Sequence, residues 1–140
     1  MKQTPSFLKL EKFARDHIQA HRYPNDYHFF RMYKCEICGV VPFGLIIEHH
    51  TGSRKGDFKG RILGQCSICG HTSRLFSFTG SHRKPMREET PKCTCGGTDF
   101  YVGECERMEG DEGIMGFFDE GVVAGMCAQC ERNRVLVETD

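Results

Sequence analysis

The sequence predicts a small, mostly-β, metal-stabilised fold: two tandem three-stranded antiparallel ribbons, each clamped at one end by four cysteines, with one N-terminal α-helix. Three observations predict it. Eight of the nine cysteines fall in four close pairs. The chain repeats itself, GRILGQCSIC (60–69) and GVVAGMCAQC (121–130) sharing the pattern G-x3-G-x-C-x2-C. Between the cysteine pairs lie short runs of strand-forming residues bounded by glycine-rich segments.

The length of the chain makes the cysteines necessary. At 140 residues the chain holds one ordinary domain or two very small ones, and a half of about 50 residues buries too little apolar surface to be stable without a staple. The N-terminal MKQTPSFLKLEKFARDHIQAH carries acidic residues and no continuous apolar core, unlike a signal peptide. No stretch approaches the roughly 18 apolar residues of a membrane span. The expectation is a cytoplasmic protein without membrane contact, a setting in which clustered cysteines are more often metal ligands than disulfides.

Taken in order, the pairs give Cys35, Cys38, Cys66 and Cys69 as C-x2-C-x27-C-x2-C, and Cys93, Cys95, Cys127 and Cys130 as C-x-C-x31-C-x2-C. A disulfide within one such pair would close too small a loop to stabilise much, whereas two turns face to face supply four thiolates tetrahedrally. The expected cofactors are two Zn2+ ions, with iron as the alternative in the first site. Cys105 stands alone at a strand position away from the knuckles.

The elements follow from the N-terminus. Thr4 and Pro5 form a cap and first helical position, and Phe7, Leu10, Ala14 and Ile18 recur at helical spacing before Pro24. Tyr27, Phe29, Phe30, Met32 and Tyr33 form an aromatic lead-in that reads as core cover rather than a base-stacking platform. These make up residues 1–32. Residues 33–80 form a basic ribbon, 81–90 a polar linker within TGSHRKPMREETPK, and 91–140 an acidic ribbon. FGLIIEHHT and DFYVGECER read as opposing strands, and SRLFSFT and NRVLVET as the last strand of each ribbon. GSRKGDFKG and GDEGIMGFFDEG read as the far hairpin ends.

The duplication extends past the cysteines. Lys34-Cys35 stands with Lys92-Cys93, Gly39 with Gly96, Phe43 with Phe100, and SRLFSFT with NRVLVET. A glycine after a knuckle admits the positive φ that turns the following N–H groups toward sulfur. Gly64 and Gly125, each two residues before a ligand inside a strand pattern, mark close backbone approach.

CEICG and CSICG resemble the paired knuckles of the rubredoxin-like zinc ribbons, over residues 33–80 and 91–140. That resemblance implies a fold and a closed metal site and leaves the activity open. Three narrower likenesses bear on it. Rubredoxins carry iron on two such knuckles, which implies an electron carrier; here their aromatic and acidic surroundings are missing, and Glu131 replaces the last knuckle glycine. The HNH nucleases place an acid-His-His strand between two cysteine pairs, as Glu48-His49-His50 stands here, implying a metal-dependent nuclease. No Asn stands in the segment just before Cys66, where Arg61 occupies its usual neighbourhood, and residues 72–79 alternate like a strand where that family has a helix. The transcript-cleavage elongation factors carry an Asp-Glu pair shortly before the last knuckle, as Asp119-Glu120 stands, but their flanking Arg-Ser-Ala is missing and a solvated hairpin turn is the preferred reading.

Charge narrows the partners. Residues 1–90 carry 15 Lys/Arg against 8 Asp/Glu, and residues 91–140 carry 4 against 11, so a neutral chain divides into +7 and −7. The basic half suits RNA or DNA through Arg54, Lys55, Lys59, Arg61, Arg74, Arg83 and Lys84, and the acidic half suits a protein partner. The two halves could also dock on one another. The sequence thus reads as a zinc-binding interaction module rather than an enzyme, with nucleic acid on the first ribbon. The alternatives are a protein adaptor without nucleic acid, a nuclease using Glu48, His49 and His50, and an electron carrier.

Overall fold

Each three-strand run marked by the sequence folds as an antiparallel meander. In a computed structural model of the protein, which describes residues 7–18, 27–50, 60–78, 86–108 and 118–139, the first meander is β2 (Phe43–His50), β3 (Gly60–Cys66) and β4 (Thr72–Phe78). The second is β6 (Asp99–Met108), β7 (Phe118–Cys127) and β8 (Asn133–Thr139). Ahead of them stand helix α1 (Phe7–Ile18) and strand β1 (Tyr27–Met32), and between them lies β5 (Met86–Glu89). The result is a small, mostly-β antiparallel protein with one helix among the described residues. Thr4, Pro5, GSRKGDFKG short of Gly60, and residues 109–117 lie outside the described residues.

The meanders are not separate sheets. Among the described residues, eight strands form one sheet, six of them along the path β4-β3-β2-β6-β7-β8, joined where Phe43 pairs with Phe100 and Gly44 with Asp99. Beyond that short junction, β2 and β6 diverge, and each leaves one edge of backbone donors and acceptors to be satisfied. The lead-in strands satisfy them crosswise. β1, which leads into Cys35 of the first half, pairs with β6 of the second; β5, which leads into Cys93, pairs with β2 of the first. Two segments read from sequence as core cover and linker are therefore strands. The exchange is symmetric in register: Arg31, four residues before Cys35, faces Glu104, and Glu89, four before Cys93, faces Ile47. Glu104 and Ile47 each lie four residues past the junction phenylalanine.

The duplication also includes a fault. Ile62 pairs with Phe76 but Leu63 with Arg74, which leaves Leu75 extra; Val123 pairs with Val137 but Ala124 with Val135, which leaves Leu136 extra. Each extra leucine lies on the repeated glycine. A Cβ at Gly64 would sit 2.7 Å from Leu75 Cδ1, and one at Gly125 would sit 3.1 Å from Leu136 Cδ1. This register corrects the sequence alignment by one residue: Gln65 faces Thr72 and Met126 faces Asn133, so Thr72, not Ser73, is the counterpart of Asn133.

Alternation along the strands makes two cores. One face gathers Phe43, Leu45, Ile47 and Ile62 from the first half with Phe100, Val102, Val123 and Val137 from the second, together with Cys35, Cys66, Cys93 and Cys127. The other face carries Cys105, Val122, Ala124 and Met126 beneath α1, whose Leu10 and Ala14 are fully buried. Phe7 adds an edge-on contact with Tyr101, ring centroids 5.1 Å apart. The polar side of the helix is laced by Arg15–Glu11 at 2.9 Å and Lys12–Asp16 at 2.8 Å, i,i+4 pairs worth a few tenths of a kcal/mol each. The helix at the start of the chain thus packs on strands of the second half.

Candidate metal centres

Two sulfur clusters lie at the ends of the meanders. Cys35, Cys38, Cys66 and Cys69 bring their Sγ atoms within 4.8 Å of one another, and so do Cys93, Cys95, Cys127 and Cys130. The closest sulfurs, Cys35–Cys69 at 3.6 Å, Cys93–Cys130 at 3.4 Å and Cys95–Cys127 at 3.5 Å, approach the edge of about 3.8 Å that a tetrahedron with metal–sulfur bonds of about 2.3 Å requires. Each group could hold a metal ion.

Local backbone explains why the sulfurs converge. Cys35 and Gly39 exchange N–H···O bonds of 2.8 and 2.9 Å, which closes the first knuckle into a tight turn. Equivalent turns run from Cys66 to Gly70, from Cys93 to Gly96 and Gly97, and from Cys127 to Glu131. All four end on a left-handed residue: Gly39 (φ 85°), Gly70 (78°), Gly96 (96°) and Glu131 (63°). That geometry points amides at sulfur. Ile68 and Cys69 N–H donate to Cys66 Sγ, Gly97 N–H to Cys95 Sγ and Gln129 N–H to Cys127 Sγ, each at 3.4 Å.

The electrostatics of each cluster call for a cation. The Cys69 and Ile68 amides hold the Cys66 thiol down to about 6 despite its burial, and the Cys95 amide does the same for Cys93, also to about 6. Burial and the neighbouring Cys69 and Cys66 sulfurs push Cys38 up to about 12. At Cys95 the Gly97 amide pulls down, but burial and the three other sulfurs outweigh it, and the thiol rises to about 12. Four thiols this close cannot all ionise on their own. A divalent cation removes that conflict, and four sulfur ligands leave no coordination position for water or substrate.

Two supports at the second centre were not read from the sequence. Gly97 has no room for a side chain, since a Cβ there would lie 2.7 Å from Cys127 Sγ. Arg132, next to the last knuckle, donates to the Thr94 hydroxyl inside the C-x-C turn, and Arg134 Nη1 donates to the Lys92 carbonyl at 3.4 Å. Only the Gly-Gly after Cys95 could have hinted at the first; the arginine contacts span 38 and 42 residues.

The other residues singled out by sequence are placed differently. Glu48 is buried mid-strand and faces the Arg61 guanidinium at 3.2 Å. His49 and His50 end β2, opposite Arg87 and Met86 of β5; their side chains lie outside the described residues. Residues 72–78 are a strand, not the helix of an HNH nuclease. Asp119 and Glu120 belong to β7, Glu120 facing Arg107, rather than to a hairpin turn, and their side chains are likewise not described. Of the seven basic residues, Arg54, Lys55, Lys59, Arg83 and Lys84 lie outside the described residues, Arg61 is engaged by Glu48, and Arg74 is exposed on β4. Cys105 is fully buried under α1 and belongs to neither sulfur group. Among the described residues, no helix is long and apolar enough to cross a membrane.

No protein family, curated protein or solved structure matches this chain.

Proposed function

We propose that the protein is a zinc-binding interaction module whose two meanders act as a pair of zinc ribbons, each closed by one structural zinc site of four cysteines. The observation that carries this reading is the convergence of four Sγ atoms in each half to within 4.8 Å, on knuckles whose amides face sulfur. Cys35, Cys38, Cys66 and Cys69 would hold one ion, and Cys93, Cys95, Cys127 and Cys130 the other. An all-thiolate tetrahedral set suits zinc, which has no redox chemistry and no ligand-field preference, and a closed site contributes folding energy rather than catalysis. Elemental analysis of the purified full chain tests it. Two zinc per chain is the expected result; a red, iron-containing protein would favour the electron-carrier reading.

A specific observation favours a protein as the partner. Ile37 and Ile68, each directly before a ligand of the first site, are 73% and 69% exposed, and Val40, two residues past Cys38, is 36% exposed. The corresponding knuckle positions of the second site are Thr94 and Gln129. Two isoleucines on the solvent side of one knuckle pair, and polar residues on its repeat, support an apolar contact there. Nucleic acid remains the competing partner, supported by the charge of residues 1–90 alone. Salt-dependent binding of the full chain to a labelled single-stranded RNA or duplex DNA that survives Ile37→Ser/Ile68→Ser would favour nucleic acid. Absence of binding at low salt would leave the protein contact.

A further inference from the structure

The two sulfur groups are joined by a row of four residues across the centre of the sheet. Cys66 faces Phe43, Phe43 faces Phe100, and Phe100 faces Cys127. Each is at most 2% exposed. At about 4.8 Å between neighbouring strands, a ligand of one site stands three strand spacings, about 14 Å, from a ligand of the other.

The backbone repeats the connection. Ser67 N–H, in the second knuckle of the first site, donates to the Pro42 carbonyl at 3.1 Å, directly before Phe43; Ala128 N–H, its counterpart, donates to the Asp99 carbonyl at 3.0 Å, directly before Phe100. The first knuckles are tied crosswise. Cys35 is reached through β1, which is paired with β6, and Tyr33 N–H donates to the Val102 carbonyl at 2.8 Å. Cys93 is reached through β5, which is paired with β2. The first ligand pair of each site therefore follows a strand paired with the other half, and the second is tied to the residue before the junction phenylalanine.

We infer that the two four-cysteine groups form one cooperative metal-binding unit, in which an ion captured by either group raises the affinity of the other through the Cys66–Phe43–Phe100–Cys127 row and the exchanged strands. The inference rests on the zinc reading above. Its physical basis is shared ordering: the first ion fixes the row and the strand junction, so the second ion no longer has to order them. Coupling of this kind is reciprocal, so loss of either ion weakens the hold on the other.

Native mass spectrometry of the metal-free full chain, titrated with zinc under reducing conditions, tests it. The expected result is a one-zinc species rarer than two independent sites would give at the same total occupancy. A one-zinc species at or above that level overturns the inference. A second measurement uses Co2+ and its electronic spectrum. In Cys127→Ser/Cys130→Ser, cobalt binding at the first site should weaken at least about fivefold, the lower end of usual couplings between sites; an unchanged first-site affinity overturns the inference. Phe43→Leu/Phe100→Leu keeps all eight ligands and should return the one-zinc species to the level of independent sites. A chain that takes up two zinc ions independently sinks this inference alone, whereas a chain that takes up no metal sinks the zinc reading as well.

Discussion

Phe43 and Phe100 stand directly opposite one another at the junction of the two meanders, each with a cysteine of its own sulfur group as the next residue across the sheet. Both are fully buried, and the other pair at that junction is Gly44 with Asp99. Truncation of either ring removes a fully buried side chain from the core that both halves share. Phe43→Ala or Phe100→Ala should each cost about 3–5 kcal/mol, the usual loss for a buried phenylalanine. Chemical denaturation of the full chain at saturating zinc measures it, and a loss below about 1 kcal/mol would mean that the junction contributes little.

Glu131 is, among the described residues, the one knuckle position that adopts a left-handed conformation with a side chain. Its three counterparts are glycine, and a left-handed backbone costs an ordinary L-residue about 1–2 kcal/mol. Glu131→Gly should therefore stabilise the protein by about 1 kcal/mol, and Gly70→Ala, at the matching knuckle, should destabilise it by a similar amount. Thermal unfolding of the two variants beside the parent decides the pair.

Burial, and then the neighbouring Glu104 carboxylate, raise the Glu106 carboxyl above its ordinary value. Glu104 itself is committed to β1 and its C-terminal neighbour, accepting from the Arg31 Nε and the Tyr33 hydroxyl. The folded state therefore holds the Glu106 proton more tightly than the unfolded chain does. The resulting stability is present below the unfolded value of about 4.3 and is lost as pH rises through the raised folded value. Glu106→Gln should gain on the parent as pH rises from about 4.3 through the raised folded value, by a modest amount because the group is half-buried and screened. Parallel melts across that range would show the difference widening; a constant difference would contradict it.

Cys105 lies in the core under α1, and burial pushes its thiol up to about 11. It is a small apolar residue at neutral pH, not a nucleophile or a ligand. Cys105→Ala should leave metal content unchanged. Cys105→Ser should also keep both ions but lose about 1–3 kcal/mol, since a hydroxyl would be buried without a built partner. Loss of one metal ion in Cys105→Ala would show that the ligand assignment is wrong.

The knuckles were legible in the sequence because ligand spacing is a local property. So were the meanders, whose strands alternate or run apolar between glycine-rich segments. The repeated Gly64 and Gly125 were legible as close approaches, but Leu75 and Leu136, which create the need, were not, because an extra residue in one strand shows only in its pairing with the next. The same fault misled the alignment by one residue, since Ser73-Arg74 and Asn133-Arg134 match by residue type and not by position in the sheet. Least legible was the strand exchange. MREE has almost no strand propensity, and β5 exists because the edge of β2 needs a partner. YHFFRM has propensity, yet nothing local says that its partner lies 73 residues away at Glu104.

Each half is proposed to close four cysteine sulfurs around one zinc ion. Zinc K-edge X-ray absorption of the full chain, loaded to saturation, tests it most directly. The expected result is a single shell of four sulfurs at about 2.3 Å with no nitrogen or oxygen neighbours, and the same shell around the remaining ion when Cys127→Ser/Cys130→Ser removes the second site. Nitrogen or oxygen in the first shell at about 2.0–2.1 Å would mean that histidine, carboxylate or water completes a centre, and would contradict it.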